Sequence, residues 1–152
     1  MATFHSGFED KIFIAKGKIS SAAITGTASG QLGHANGYVV VPAHGTDKVV
    51  ELVSAIFVME YDTAAYTGGG NTTVNISAGG AALTGLVSNA NFVQASADKI
   101  IQFVPLAATF NVLTANSGLA LVSASAPTQP GTAAGVIHYR VTYRIHNAKT
   151  LL

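Results

Sequence analysis

Strand-forming residues recur along this chain in short blocks that clusters of Gly, Asn, Pro and Ser separate, and helical periodicity is nearly absent. Blocks of this kind are typical of a β-sandwich or barrel. A chain of 152 residues is about one domain long. We therefore predict one all-β domain of about eight strands, which are Ile19–Thr25, Gly37–Ala43, Val49–Tyr61, Thr72–Ala78, Ala82–Ser88, Lys99–Val104, Gly118–Ala124 and Gly135–His146.

Charged residues are scarce, at 10% of the chain against 49% hydrophobic residues. An ordinary domain carries about 25% charged residues. The net charge of +1 and the scattered basic residues argue against a nucleic-acid partner. No apolar run reaches the roughly 18 residues of a membrane helix, so no membrane partner is expected. So little charge fits a protein whose surface is largely covered by protein partners.

The first sixteen residues form a separate segment, and residues 17–152 form the predicted sandwich domain. Residues 1–16 are too apolar for a solvated tail, because they carry Phe4, Phe8, Ile12, Phe13 and Ile14. In the second of the interpretations below, Phe4, Phe8 and Phe13 are interface residues. Two interpretations stay open: an extra strand or plug on the domain's own core, or an arm that docks on a neighbouring subunit. Acidic residues at Glu9 and Asp10 interrupt the segment, so no signal peptide is expected.

The last predicted strand has the clearest alternation in the chain. Ile137, Tyr139, Val141, Tyr143 and Ile145 occupy every second position, which predicts a core face. The opposite face carries His138, Arg140, Thr142, Arg144 and His146, which include both arginines of the protein. That face is either a solvated sheet surface or a contact surface, because arginine is enriched in interfaces. Under the second interpretation His138, Arg140, Arg144 and His146 are interface residues.

Residues for catalysis or for binding a cofactor or metal are not predicted, and we expect a non-enzymatic protein. Cysteine is absent, and no hydrolase or metalloprotease motif occurs. His138 and His146 are eight residues apart, about 26 Å on a straight strand, so they cannot share one ion. Glu60 and Asp62 are interpreted as a solvated acidic pair. The glycines of Thr67–Asn71 lack the lysine and the following helix of a phosphate loop, so they predict a hairpin turn.

Three segments resemble small capsid decoration (cement) proteins of tailed bacteriophages. They are GKISSAAITG near the start, KVVELVSAIFVMEYDTAAYTGGGNTTVNIS in the middle and GVIHYRVTYRIHN at the end. The resemblance spans most of residues 18–146. It implies a jelly-roll-like β-sandwich, made in the host cytoplasm, that sits on the outside of the capsid as a homo-oligomer. It also implies that the partner is the major capsid protein, whose neighbouring subunits the protein would bridge.

Within this framework, a trimer is favoured and a dimer is possible. Two other functions are compatible with the composition. One is a structural component of a phage tail or fibre. The other is a carbohydrate-binding β-sandwich module, in which Tyr38, Tyr61 and Tyr66 would stack on sugars. The absence of tryptophan disfavours the carbohydrate-binding module.

Overall fold

The fold consists of two four-stranded antiparallel sheets with a hydrophobic core between them. The computed structural model describes residues 11–77, 79–106, 112–129 and 135–149. In these ranges, the elements other than one short helix, α1 (Ser21–Thr25), and a 3-10 turn at Asn89–Asn91 are strands. These are β1 (Ile12–Ile19), β2 (Tyr38–Val41), β3 (Lys48–Glu60), β4 (Thr67–Gly68), β5 (Asn71–Ile76), β6 (Val87–Ser88), β7 (Lys99–Phe103), β8 (Leu119–Ser123), β9 (Pro127–Thr128) and β10 (Val136–Asn147).

The first and last strands, β1 and β10, lie side by side in one sheet. The first sheet runs β1-β10-β3-β7 and the second runs β2-β8-β5-β6, while β4 and β9 form a separate pair. The first strand thus pairs with the last, and β2 pairs with β8. The predicted all-β sandwich of about eight strands is confirmed.

The core lies between the two sheets and is built around aromatic rings. Phe57 on β3 meets Phe103 edge to face at 5.4 Å and Phe92 at 6.3 Å between ring centroids. Edge-to-face packing of this kind suits the charge distribution of aromatic rings. Inward residues of both sheets, such as Val141 and Leu121, are fully buried in the same cluster. Among the described residues, no helix is long and apolar enough to cross a membrane.

Six of the eight predicted strands are confirmed to within a few residues. They correspond to β2, β3, β5, β7, β8 and β10. The strand predicted at Ala82–Ser88 is largely wrong, because only Val87–Ser88 forms a strand, with isolated bridges at Ala82 and Thr84.

The strand predicted at Ile19–Thr25 is wrong. β1 ends at Ile19, and the following residues form α1. The Ser20 hydroxyl accepts a hydrogen bond from the Ala23 backbone N–H at 3.3 Å and so caps the helix. Two alanines follow the cap, and Ile24 is buried against the core. The cap and the alanines outweigh the β-propensity of Ile24 and Thr25.

The hairpin turn predicted at Thr67–Asn71 is wrong, because β4 pairs with β9 whereas β5 pairs with β6 and β8. The glycines instead form a tight connection between two sheets. Gly68, Gly69 and Gly70 all have positive φ, at 70°, 89° and 67°. The Ser123 hydroxyl donates to the Gly69 carbonyl oxygen at 2.5 Å, and the buried Asn89 amide donates to the same hydroxyl at 3.1 Å. A Cβ at position 69 would lie 2.5 Å from the Asn89 amide nitrogen, so this position requires glycine.

Candidate interaction face

The outward surface of the sheet β1-β10-β3-β7 collects the polar residues of the closing strand, and we call it the outer face. β10 lies inside this sheet, between β1 and β3. Ile137, Val141, Tyr143 and Ile145 are buried beneath it, as the alternation predicts. Tyr139 is half-buried and packs against Phe57 and Tyr38. The residues of β10 on the outer face are His138, Arg140, Thr142, Arg144 and His146.

Strand register places a second row of cations beside β10. Lys16 on β1 lies opposite Arg140, and Lys18 lies opposite His138. Lys16, Lys18 and Arg140, the basic cluster, are all exposed. Within the described residues, none of the three forms an ion pair. Like charges directly opposite each other on neighbouring strands destabilise a sheet. The repulsion within the basic cluster therefore lowers the stability of this sheet.

Two carboxylates of the outer face, those of Glu60 and Glu51, hydrogen-bond histidines and not the basic cluster. Glu60 at the end of β3 hydrogen-bonds His138, with 2.7 Å between Oε2 and Nε2. Glu51 bonds His146 at 2.6 Å, and its Oε2 lies 3.9 Å from Nη1 of Arg144. Both acidic groups thus lie near the two ends of β10. Within the described residues, Lys16 and Arg140 have no carboxylate in an ion pair with them, whereas Lys18 lines one pocket together with Glu60 and Asp62.

Exposed isoleucines surround the basic cluster. Ile12 and Ile14 lie opposite Arg144 and Thr142 on one side of β10, and Ile56 lies opposite Arg140 on the other. Ile100 on β7 is 72% exposed and continues the row through Val58. Large apolar side chains beside unpaired cations are typical of protein interfaces, in which Arg is enriched and apolar contact excludes water.

The predicted arm residues divide between described and undescribed parts of the chain. Phe4 and Phe8 lie outside the described residues. Phe13 lies in β1, and its ring stacks on Tyr143 of the same chain with 5.6 Å between centroids. Residues 12–16 pair in register with β10, from Ile12 opposite Arg144 to Lys16 opposite Arg140. This part of the segment is thus a strand of the chain's own sheet.

Among the outer-face residues of β1, Lys16 and Lys18 are not identified from the sequence, and Ile12 and Ile14 are identified only as apolar residues of the first segment. Their signal is present as the alternation of IFIAKGK over residues 12–18, in which exposed and half-buried positions take turns. A period of two in this segment predicts a strand with Ile12, Ile14, Lys16 and Lys18 on one side. Their position beside Arg140 depends on the pairing of β1 with β10, which alternation alone does not reveal.

The structure also places other residues that the sequence singled out. Tyr66, one of three tyrosines considered for sugar stacking, is 2% exposed, and its hydroxyl donates to the Gly135 carbonyl oxygen at 2.6 Å. A sugar cannot stack on that ring. Asp62 lies beyond the end of β3, and Glu60 is engaged by His138. In the described part of the chain, no three His, Asp or Glu side chains come together as a metal site.

Comparison with known proteins adds one similar structure. No protein-family model matches the chain, and no curated protein sequence matches it. Among solved structures, the chain is similar to a chain described as "Cyanophage Pam1 capsid asymmetric unit". The sequence identity is 19%, the TM-score is 0.47, and the alignment covers 95% of this chain and 91% of that chain. The function proposed for this chain rests on its own residues.

Proposed function

We propose that this chain is a non-enzymatic structural protein of a phage virion, a decoration protein that binds the outside of the head and bridges major capsid subunits. Residues 18–146 support the proposal through their resemblance to such proteins. The observation that carries it is the basic cluster, in which Lys16 and Arg140 are cross-strand neighbours without a carboxylate partner among the described residues. A partner that supplies carboxylates or carbonyl oxygens offsets the repulsion between these cations.

The outer face suits a binding role that needs no chemistry. Binding free energy spread over many copies is sufficient to reinforce a capsid. Arg140 supplies a planar, permanently charged donor that can bind a carboxylate with two parallel hydrogen bonds. The isoleucines around it supply apolar area, and burying one such side chain contributes about 1.5–3 kcal/mol. Arg140 and Arg144 are four residues apart, about 13 Å along the strand, so they would meet two separate acceptors.

The first prediction compares a substitution of Arg140 with one of Val141, its neighbour in sequence. Arg140→Ala should weaken binding to phage heads about ten- to a hundredfold, because a desolvated arginine is a frequent interface hot spot. Its melting temperature should equal that of the parent or lie slightly above it, since the side chain is exposed and its repulsion with Lys16 is removed. Val141→Ala should instead cost about 2 kcal/mol of stability, because Val141 is fully buried. The measurements are copy number on heads stripped of the protein and a thermal melt.

The control for Arg140→Ala is Lys149→Ala, which removes a cation that follows the end of β10 and is not part of the outer face. Lys149 pairs with Asp47 at 3.1 Å and is highly exposed, so its loss should leave head binding unchanged. Head binding by the parent should also weaken as salt rises, because solvent-exposed charges are screened. Unchanged occupancy of the Arg140→Ala protein would show that the outer face is a solvated sheet surface. Attachment to tails instead of heads would favour the tail or fibre function.

A further inference from the structure

Within the described residues, the outer edge of β7 carries no paired strand over Lys99–Phe103, whereas directly after it Pro105 forms a bridge with Thr84. β7 is the last strand of its sheet, and within the described residues it pairs with β3 alone. Ile100 and Gln102 project onto the outer face, since they lie in register with Val58 and Ile56. Val104, directly after the strand, is exposed as well. An exposed edge with apolar side chains is a template for pairing with another strand.

A groove lies next to this edge. It has a volume of about 180 Å³ and is lined by residues 84–87 and 102–104. Its apolar walls include Leu86, which is 70% exposed, together with Phe103 and Val104. A strand added to β7 therefore has an apolar recess within reach of its side chains.

We propose that residues 4–9 of a second copy of this chain add to the β7 edge as a fifth, antiparallel strand. In one register Phe4 lies opposite Val104, Ser6 opposite Gln102 and Phe8 opposite Ile100. The same register places Glu9 opposite Lys99, an oppositely charged cross-strand pair. Apolar residues thus meet apolar residues, a polar residue meets a polar residue, and the charges are complementary.

Shifted registers lose this match. A shift of two residues one way places Asp10 opposite Ile100, and a shift the other way places Phe8 opposite Asp98. Parallel pairing keeps the aromatic contacts but leaves Glu9 opposite Pro105 and Lys99 opposite Thr3. The antiparallel register is the one that satisfies both the apolar residues and the charges.

The strand must come from another copy, because the same copy's segment cannot reach. Ile12 is in register with Glu51, whereas Ile100 is in register with Val58, seven residues further along β3. Those seven residues span about 23 Å, and the four strand spacings from β1 to the new strand add about 19 Å sideways, which makes about 30 Å in all. The four residues from Phe8 to Ile12 span at most about 14 Å.

Self-association through this strand goes beyond the proposed function, because neither the contact nor its test needs a capsid. Each copy donates from the β1 side of the sheet and accepts at the opposite edge. Such head-to-tail contacts close into rings when the rotation between copies permits. The added strand also widens the outer face by placing Phe4 and Phe8 beside Ile100.

Engineered cysteines test the register directly, since the parent contains none. The double variant Ser6→Cys with Gln102→Cys should form covalent oligomers under mild oxidation, seen on a non-reducing gel. Both positions are polar, and Gln102 is exposed, so the fold should tolerate them. The matched control pairs Ser6→Cys with Lys16→Cys on the far edge of the sheet, and it should give markedly fewer covalent oligomers. Equal cross-linking of this control would overturn the proposal.

Three further outcomes would contradict the proposal. An absence of covalent oligomers from the double variant shows that the segment does not meet β7. A disulfide within one chain shows that the partner is not a second copy. Efficient cross-linking of Gln102→Cys alone shows that two β7 edges pair with each other.

A charge exchange gives a second, independent measurement. Glu9→Lys should weaken self-association several-fold in sedimentation, because it places a lysine opposite Lys99. Adding Lys99→Glu should restore the association, since the pair is then reversed. A double variant as weak as Glu9→Lys alone would show that residues 9 and 99 do not face each other.

Discussion

At the scale of single residues, Tyr66 links the pH of the solution to the stability of the fold. Burial raises the pKa of this phenol from 10.0 to about 12, although a hydrogen bond with Ser21 acts the other way. Folding thus favours the neutral form. The contribution is fully present below pH 10, where both states are protonated, and is lost as the pH rises from 10 to 12. The loss should reach about 2–3 kcal/mol, at 1.36 kcal/mol per pKa unit.

Urea denaturation at pH 8, 10 and 11.5 measures this loss, with Tyr66→Phe as the control. The phenylalanine variant cannot ionise at this position, so its stability should fall less over the same range. Burial also raises the pKa of Tyr139 and of Tyr143, which leaves a residual alkaline decline in the variant. Parallel declines of parent and variant would show that Tyr66 does not titrate in this way.

At the scale of elements, β1 places residues 12–16 in the chain's own sheet. Removing residues 1–10 leaves every residue of β1 in place, so it should lower the melting temperature much less than a deletion that reaches into β1. Removing residues 1–16 should lower the melting temperature clearly. That truncation deletes five of the eight residues of β1 and the Phe13 ring that stacks on Tyr143. Truncation of a paired strand also exposes the edge of β10 to solvent.

Circular dichroism melts of the two truncated proteins check this prediction. Equal melting temperatures for both would show that the first half of β1 contributes little to stability. Measuring self-association of the two truncated proteins distinguishes a contribution to the fold from a contribution to the β7 contact. The proposed β7 contact needs residues 4–9 and does not need Phe13. The shorter truncation should then abolish that contact while it spares the fold.

At the scale of the whole molecule, low charge and an exposed apolar face predict that the purified protein self-associates. With a net charge of +1 there is little electrostatic repulsion between copies. Light scattering at micromolar concentration should give a mass that is a multiple of the 15.5 kDa chain, with three copies favoured over two. A stable mass of one chain at high micromolar concentration would contradict this prediction and the β7 contact together.

The sequence by itself determined six of the eight predicted strands and the two faces of β10. Burial on a sheet repeats every two residues, so the local order of residues is sufficient to predict it. Residues 137–146 show this directly, since the buried and outward positions follow the predicted alternation. Local reasoning failed at Ile19–Thr25, where a serine cap and two alanines formed a helix in place of the predicted strand.

The tertiary structure alone decided which outward residues meet. Glu60 reaches His138 across 78 residues of sequence, and Glu51 reaches His146 across 95. Lys16 and Arg140 became neighbours only through the pairing of the first strand with the last. Strand order and register come from the global packing of two sheets, and a register shift of one residue would turn each strand's outward side chains to the other face. For this physical reason the basic residues can be identified in the sequence, while the basic cluster exists only in the folded sheet.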